Sequence, residues 1–450
     1  MMTKYIRITA MSLLTLSCAA MTSCSETDAE KDRGSVPQIM YARPCDAAKG
    51  DSLIVSASLG AKLAFVGNNL GDVQQVWFND QKAKLNPTMV TSHTIIVDVP
   101  NVIPSEVSDK VRFITSTGVE TEMPFVVTVP APRIESMDCE YAKPGTQTVL
   151  HGAYFADDPS SPLKVVFEGS GEEATIVSFD QDNITVVVPD GAVEGPIRVE
   201  TIYGGSSTSF HYADTRGMMF DFEPDGATGL GMAGHWWHIC EFVEDERSLT
   251  GTYIRMGNDE TTIDKDAWAE NTHLFTYWAG DWGTPLGYPA RVGERLCDVV
   301  DFTHYKDMTL KFEMLVPSSN PWQQLALQLI FSGVDKTCYG PTGTDIAGRP
   351  THESNNTYFQ DDNGKSDDSW GRGLYRPWTA TKAFDTADRW ITVSVPLDEF
   401  IYNSVGGKAK KVPSSPDDFA NLEIFLWAGG VEGVDCKPII CIDNIRAVRK

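Results

Sequence analysis

Aromatic side chains are concentrated in segments of this chain that read as loops. The segment WGRGLYRPW, residues 370–378, holds two tryptophans, a tyrosine and two arginines, and it follows neither helical nor strand periodicity. Another tryptophan comes just after Asn320-Pro321, a dipeptide that predicts a turn before a strand. Exposed apolar patches mark binding surfaces. We therefore predict a binding platform built from Trp322, Trp370 and Trp378, joined by Tyr358, Trp278 and Trp282 from similar polar, glycine-containing segments.

Charge decides which partners such a platform accepts. Arginines among aromatic rings would suit nucleic acid, whose bases stack on such side chains. The formal net charge of the chain is −25, and it becomes −27 when an N-terminal segment carrying Lys4 and Arg7 is removed. Binding of polyanions requires a basic footprint. The composition therefore argues against nucleic acid and predicts a neutral partner.

Two groups of residues have the chemistry of metal ligands. In GHWWH, residues 234–238, the two histidines are three residues apart and Glu241 follows, a spacing that would suit zinc on a helix. Gly234 indicates a turn instead, so we predict neither a metal nor a catalytic residue there. Oxygen ligands for a structural calcium are the second possibility, beside ordinary hydrogen-bonded carboxylates, and they would come from Asp221, Glu223 and Asp443. We expect no other cofactor.

The N-terminus has the form of a targeting segment. Lys4 and Arg7 precede a short apolar run that ends in small residues, and this run is too short to span a bilayer. The sequence Ala20-Met21-Thr22-Ser23-Cys24 resembles a bacterial lipobox, so residues 1–23 are predicted to be a lipoprotein signal peptide and Cys24 the lipidated residue. Cys18 is the competing position, and an ordinary secretory signal is the alternative. Residues 24–35 would be an acidic tether on the outer cell surface.

The next 180 residues contain an internal repeat. AFVGNNL at 64–70 corresponds to VLHGAYF at 149–155, and TIIVDVPN at 94–101 corresponds to NITVVVPD at 183–190. The offset stays between 85 and 95 residues, which indicates duplication of a domain of roughly 90 residues. Short alternating strands broken by Gly, Pro, Asn and Asp predict a small β-sandwich in each copy. Trp77, in VWF, is expected in the first core.

The copies resemble the IPT/TIG domain, an immunoglobulin-like module. The shared features are a strand ending in Val-Pro at Pro100 or Pro189 and a glycine at Gly67 or Gly152. This resemblance covers residues 36–130 and 131–212, and it implies two modules that space the remainder of the chain from the membrane.

Residues 213–450 have a different composition, because they hold ten of the eleven tryptophans. MTLKFEML at 308–315 and LALQLIF at 325–331 each place large apolar residues on one face, and sustained helical patterns are lacking. These features predict a larger jelly-roll-type β-sandwich after the two immunoglobulin-like sandwiches, in an all-β chain. Trp390 and Phe425 are expected to be core residues.

Four ordered segments carry a second resemblance: KFEMLVPSSNPWQQLALQLIF, GLYRPW, RWITVSVPLDEF and NLEIFLWAGGVEGVDCKPIICIDNIR. They are similar to the C-terminal glycan-binding domain of the B-type surface glycan-binding lipoproteins of Bacteroidota polysaccharide utilisation loci, whose relatives bind xyloglucan or mixed-linkage β-glucan. The resemblance implies a non-catalytic lipoprotein of the outer membrane. Such a protein captures a neutral polysaccharide for an outer-membrane importer and its associated binding lipoprotein.

The predicted platform suits that ligand class. Aromatic rings have a negative face, which attracts the axial C–H groups of a pyranose. Arg372, Arg376 and nearby carboxylates can form hydrogen bonds with sugar hydroxyls. Two other functions stay open. A glycoside hydrolase would need two carboxylates across the scissile bond, and FDFEPD at 220–225 lacks the spacing of one such strand motif. A surface adhesin would use the sandwiches to contact protein.

Overall fold

The computed structural model describes residues 27–46, 48, 52–224, 228–231, 240–277, 294–333 and 371–450. The regular secondary structure of the described residues is almost entirely antiparallel β-sheet, which confirms the all-β prediction. It divides into two compact units, one ending at Val129 and the other running from Pro130 to Lys450. Among the described residues, no helix has the length and apolarity needed to cross a membrane.

The first unit is a β-sandwich. Its strands are β1 (Gln38–Pro44), β2 (Ser56–Ser58), β3 (Lys62–Asn68), β4 (Val73–Phe78), β5 (Gln81–Lys82), β6 (Thr94–Asp98), β7 (Lys110–Thr115), β8 (Glu120–Pro124) and β9 (Val126–Thr128), with a 3-10 helix at Pro87–Met89. One sheet has the order β1-β3-β6 and the other β5-β4-β7-β8, while β2 and β9 form a parallel pair. The two sheets enclose a core in which the Phe65 ring lies 5.0 Å from that of Phe113.

Trp77 does not belong to this core, contrary to the prediction. On β4, Val76 and Phe78 are buried, so alternation places Trp77 on the opposite face, where it is half-buried. The charged groups of Lys82 and Arg112 lie 5.8 and 5.6 Å from its ring centroid. The ring is therefore covered by cations on the outer face of the sheet, which is a cation–π arrangement.

A short helix, α1 (Asp28–Asp32), lies in the segment predicted as an acidic tether. Thr27 and Glu30 form a capping box at its start. Asp32 accepts a 2.8 Å hydrogen bond from the backbone N–H of Gly71, and Asp28 accepts one of 3.1 Å from Ser92. Acidic residues after the predicted lipidation position therefore hold this helix against the first sandwich.

The repeated glycines have the same structural role in both copies. Gly67 lies opposite Ile39 where β1 has a register shift, and a Cβ at Gly67 would lie 2.0 Å from the carbonyl oxygen of Gln38. Gly152 lies opposite Ile134 at an equivalent shift, and its Cβ would lie 1.9 Å from the carbonyl oxygen of Arg133. Only glycine permits this approach of two backbones. The repeat in the sequence therefore corresponds to the same strand pairing in both copies, β1 with β3 and β10 with β11.

The second unit begins with another sandwich of this type. Its strands are β10 (Arg133–Met137), β11 (Gln147–Ala153), β12 (Lys164–Phe167), β13 (Glu172–Glu173), β14 (Thr175–Phe179), β15 (Asn183–Val187), β16 (Gly195–Thr201) and β17 (Gly204–Tyr212). The sheet orders are β10-β11-β15-β14 and β13-β12-β16-β17. Alternating residues of both sheets form one core, as period-2 patterning requires.

A larger sandwich follows in the same unit. Its strands are β18 (Met218–Phe220), β19 (Glu241–Val243), β20 (Tyr253–Met256), β21 (Leu274–Tyr277), β22 (Met308–Leu315), β23 (Ala326–Ser332), β24 (Gly373–Tyr375), β25 (Ile391–Pro396), β26 (Asn421–Trp427) and β27 (Ile440–Arg449). Short helices are α2 (Leu296–Val299), α3 (Trp378–Thr381) and 3-10 turns at Tyr305–Asp307, Leu397–Glu399 and Pro416–Asp418. One sheet has the order β19-β20-β27-β22-β25, with β18 also paired to β27, and the other has the order β21-β26-β23-β24.

The core of this sandwich lies between its two sheets. Leu310, Phe312 and Met314 of β22 face Leu327 and Leu329 of β23 across it, as the apolar alternation predicted. The intervening residues of both strands are also buried, so each sheet has a second covered face. In the six-stranded sheet that second face packs on the second sandwich, whose core cluster includes Leu315, Trp390 and Cys441.

Candidate functional site

Trp322 is a core residue, which contradicts its prediction as an exposed platform ring. Its side chain is 0% exposed, and its indole N–H donates a 2.7 Å hydrogen bond to the carbonyl oxygen of Gln324. The ring lies 6.4 Å from that of Phe384 and 6.1 Å from that of Tyr375. The turn at Pro321 directs the tryptophan inward, because the segment pairs with Phe384 by backbone hydrogen bonds.

Trp378 is buried as well, so this part of the platform prediction is also wrong. Its side chain is 2% exposed, and its N–H donates a 2.7 Å hydrogen bond to the carbonyl oxygen of Leu325. A Cβ at Gly433 would lie 2.8 Å from the Trp378 ring, which shows how closely a neighbouring loop covers it. An irregular segment does not imply exposure, because this loop crosses the end of the sandwich and closes its core.

The other predicted platform residues, Trp278, Trp282, Tyr358 and Trp370, lie outside the described residues, as does Cys24. Their roles stay predictions. The covalent chain joins Trp278 to Tyr277, the last residue of β21, and joins Trp370 to Gly371, just before β24. Both β21 and β24 are edge strands of the four-stranded sheet. The outer face of that sheet lies opposite the core that it shares with the six-stranded sheet.

An exposed aromatic group lies on that outer face. Trp268 is 49% exposed, and its ring centroid is 5.5 Å from that of Trp427 and 5.0 Å from that of Phe425. Both contacts are edge-on, and the rings of Phe425 and Trp427 lie nearly parallel. The Trp268 N–H donates a 3.0 Å hydrogen bond to Glu270. We call Trp268, Phe425 and Trp427 the aromatic platform.

Strand alternation produces the platform. In β26, Leu422, Ile424 and Leu426 belong to the core between the sheets. The intervening residues point the other way, which places Glu423, Phe425 and Trp427 in a line on the outer face, together with Asn421. Phe425 pairs with Leu274 of β21 and with Gln328 of β23. The prediction that Phe425 is buried is confirmed, although the side chain belongs to the outer layer.

Buried polar side chains continue the same face. Gln328 accepts a 2.8 Å hydrogen bond from Nη1 of Arg372, and its amide donates to the carbonyl oxygens of Trp427 at 2.7 Å and Ser404 at 3.1 Å. Beside them, the Asn421 amide donates a 2.9 Å hydrogen bond to the hydroxyl of Ser332. Buried polar groups that are hydrogen-bonded in this way are held in fixed directions.

Glu423 differs from its neighbours in its protonation. Burial raises the pKa of its carboxyl to about 8, and the positive charge of Arg372 opposes this shift only in part. The carboxyl is therefore largely protonated near pH 7, so it can donate one hydrogen bond as well as accept. It lies two residues from Phe425 on the same face of β26, next to the aromatic platform.

The geometry of this face suits a flat, hydroxylated ligand. The half-exposed ring of Trp268 and the partly exposed ring of Trp427 offer apolar stacking surface, and the buried, hydrogen-bonded polar groups beside them fix the shape of the face. The sequence did not predict Trp268 or Trp427 as site residues, because Trp268 lies in a loop without a distinguishing motif and Trp427 ends a strand of apolar residues. A signal was present in NLEIFLW, where Asn421 and Glu423 alternate with apolar residues and Trp427 ends the same face.

The three carboxylates named as alternative calcium ligands all lie within the described residues. Asp221 accepts hydrogen bonds from the backbone N–H and hydroxyl of Thr228, at 3.0 and 2.9 Å. Glu223 accepts one of 3.2 Å from the N–H of Thr252. Asp443 is fully buried, one of its oxygens has no hydrogen-bond partner among the described residues, and burial raises its pKa well above the usual range.

A different group of residues has the spacing of metal ligands. Within the described ranges, ligand atoms of Glu194, His211 and Asp214 all lie within 4.8 Å of one another. Arg216 already forms two hydrogen bonds of 2.8 Å with the Asp214 carboxylate. A cation there would have to displace this guanidinium. GHWWH, residues 234–238, lies outside the described residues.

Comparison with known proteins defines the class. Residues 212–449 match the family described as the surface glycan-binding protein B xyloglucan binding domain. This match covers more than half of the chain, and the chain belongs to that family. Its range coincides with the large sandwich that carries the aromatic platform.

The particular relatives agree with that assignment. The crystal structure of the surface glycan-binding protein PbSGBP-B from Prevotella bryantii is 35% identical and has a TM-score of 0.73, covering 92% of this chain and 99% of that one. An IPT/TIG domain-containing protein of Bacteroides ovatus is 34% identical over 227 residues, which are 46% of this chain and 45% of that protein. The chain thus matches less than half of that relative's length.

Proposed function

We propose that this protein is a non-catalytic, lipid-anchored protein of the outer cell surface that captures a neutral polysaccharide. The aromatic platform is the observation that carries the proposal, because it presents the half-exposed ring of Trp268 beside the partly exposed ring of Trp427. A β-glucan such as xyloglucan or mixed-linkage glucan fits best, because its equatorial hydroxyls leave flat C–H faces for stacking on Trp268 and Trp427. The captured chain would pass to an outer-membrane importer and its associated binding lipoprotein.

Charge and family membership support this ligand class. The net charge of −25 disfavours acidic glycans and nucleic acid. The family is defined by a glycan-binding domain that coincides with the large sandwich. The rings of Trp268 and Trp427 are adjacent and both reach the surface, so they form a contiguous apolar patch of the kind that marks binding sites.

Affinity electrophoresis tests the proposal. The mature chain would be run in gels that contain xyloglucan, mixed-linkage glucan, β-mannan, xylan or the anionic polymer pectin. We expect retardation by a neutral β-glucan and none by pectin. Migration unchanged in every neutral glycan would contradict the proposal and favour an adhesin.

Product release must be measured beside binding because of Glu423. A carboxyl with a raised pKa is what a glycosidase uses as its general acid. Incubation of the protein with the retarding glycan, followed by a reducing-end assay, should show no product in excess of the Glu423→Gln variant. Release that Glu423→Gln abolishes would identify a hydrolase instead.

A further inference from the structure

A cleft lies within the second unit, between the second sandwich and the large one. Its volume is about 660 Å³, which is within the range of small-molecule binding sites. One wall comes from residues 138–148 and the other from residues 246–249, Leu315 and residues 384–391. Junctions between domains are a common place for such sites. The cleft shares no residue with the aromatic platform.

Hydrogen bonds between the two sandwiches give the cleft a fixed shape. The backbone N–H of Thr392 donates a 2.7 Å hydrogen bond to the carbonyl oxygen of Asp138. The hydroxyl of Thr392 accepts one of 2.7 Å from the N–H of Glu140. These contacts lie next to Asp138 and Ile391, which both line the cleft.

Donors and acceptors are mixed along the cleft. The cations are Lys143, Arg247 and Arg389, and none of them forms an ion pair within the described part of the chain. The carboxylates are Asp138, Glu246, Asp385 and Asp388. Three cations against four carboxylates leave the cleft nearly neutral in a strongly acidic protein. Such a mixture favours a neutral ligand with many hydroxyl groups, since each hydroxyl both donates and accepts.

Apolar surface completes the cleft. Leu249, Leu315 and Trp390 line it, and the Trp390 N–H donates a 2.7 Å hydrogen bond to the carbonyl oxygen of Arg247. The Trp390 ring also makes an edge contact with Tyr253 at 5.4 Å. The wall therefore combines a fixed apolar part with surrounding polar groups, which is the combination that a sugar with C–H and O–H faces requires.

We propose that this cleft is a second carbohydrate site, which takes a short neutral oligosaccharide. The proposal rests on the proposed function for the class of ligand, and it assigns a place that the aromatic platform does not reach. One polysaccharide could then contact the protein at two positions, which would raise its apparent affinity above that of either site.

Calorimetry with neutral tetrasaccharides tests the second site. The mature chain would be titrated with cellotetraose, a mixed-linkage tetrasaccharide, xylotetraose and mannotetraose. We expect two binding sites per chain for at least one of them. Lys143→Gln and Arg389→Gln should each weaken one site about fivefold, as expected for loss of one hydrogen bond. Trp268→Ala should weaken only the other.

The controls separate this inference from the proposed function. Arg449→Gln changes an exposed arginine away from the cleft and should leave both sites unchanged. A single site that Trp268→Ala removes, or wild-type binding by both cleft variants, would overturn the second site while the gel retardation of the proposed function persists. A different result would overturn the proposed function and keep the second site. In that case no neutral polysaccharide would retard the protein in gels, while calorimetry would still detect one oligosaccharide site that Arg389→Gln weakens.

Discussion

Arg446 donates a 2.7 Å hydrogen bond to Glu140, so the last strand of the large sandwich is joined to the second sandwich by a buried ion pair. The same guanidinium bonds to Glu313 at 2.8 Å, and Lys311 also bonds to Glu140. All four side chains are buried or nearly so. Glu140 belongs to the second sandwich, and its carboxylate pairs with Arg446 and Lys311 of the large sandwich. The second sandwich therefore supplies a negative charge that the buried cations of the large sandwich require.

Removal of the Glu140 carboxylate should strongly destabilise the second unit. Glu140→Ala leaves Arg446 with Glu313 alone and Lys311 without its partner, and breaking a buried pair in this way costs about 3–5 kcal/mol. Thermal and urea unfolding would measure the loss. Glu135→Ala is the matched control, because its pair with Arg133 is exposed and should matter little. Equal melting temperatures for both variants would contradict the prediction.

Truncation should also show that the large sandwich depends on the second sandwich for its stability. A chain beginning at residue 130 keeps the second unit whole and should bind glycan as the mature protein does. A chain beginning at residue 213 loses Glu140 and exposes Leu315, Trp390 and Cys441, which pack in the core cluster of the second sandwich. We expect the shorter chain to melt at a lower temperature or to aggregate. Circular dichroism and size-exclusion chromatography would show this, and identical melting of the two chains would contradict it.

The aromatic platform should govern affinity without governing stability. Trp268→Ala removes a half-exposed ring, so binding of a neutral β-glucan should fall about tenfold, equivalent to about 1–1.5 kcal/mol, while the melting temperature stays nearly constant. Calorimetry beside thermal unfolding would measure both quantities.

Buried tryptophans provide the contrast. Trp322→Ala and Trp378→Ala each leave a cavity and remove a hydrogen bond, which should cost about 3–5 kcal/mol of folding free energy. Unchanged affinity in Trp268→Ala would show that the platform is misplaced. Unchanged stability in the two core variants would contradict the burial of their rings.

Glu423 should make stability depend on pH. Its folded pKa of about 8 is raised above the unfolded value, so the folded state retains a proton that the unfolded state has released. The stabilisation from this group is complete below about pH 4.5 and is lost as pH rises through about 8. Across that window the free energy of unfolding should fall by about 1.4 kcal/mol per pH unit.

The Glu423→Gln variant isolates that contribution. Urea unfolding of both proteins from pH 5 to pH 9 gives the difference in free energy at each pH, which removes the effect of other titrating groups. We expect Glu423→Gln to gain stability relative to the parent as pH rises, with a plateau above about pH 9. A difference independent of pH would show that Glu423 is ionised throughout.

Lipidation is predicted at Cys24. Labelled palmitate should enter the parent and the Cys18→Ala variant but not Cys24→Ala, and protease added to intact cells should degrade the parent protein. Label that persists in Cys24→Ala and disappears in Cys18→Ala would move the anchor to Cys18.

The amino-acid sequence by itself determined the class of fold. The offset of 85–95 residues between the repeats and the alternation in MTLKFEML are patterns along the chain, so they can be read without tertiary contacts. The family resemblance likewise rests on ordered segments of sequence, and the match over residues 212–449 confirms it.

The tertiary structure alone decided which aromatic rings are buried. Trp322 and Trp378 lie in irregular segments, yet loops that close the ends of the sandwich bury both rings. Trp268 and Phe425 are 157 positions apart in sequence, and they meet because Phe425 follows strand alternation onto the outer face. Exposure depends on what other parts of the chain cover, and that depends on long-range packing, which local periodicity does not encode.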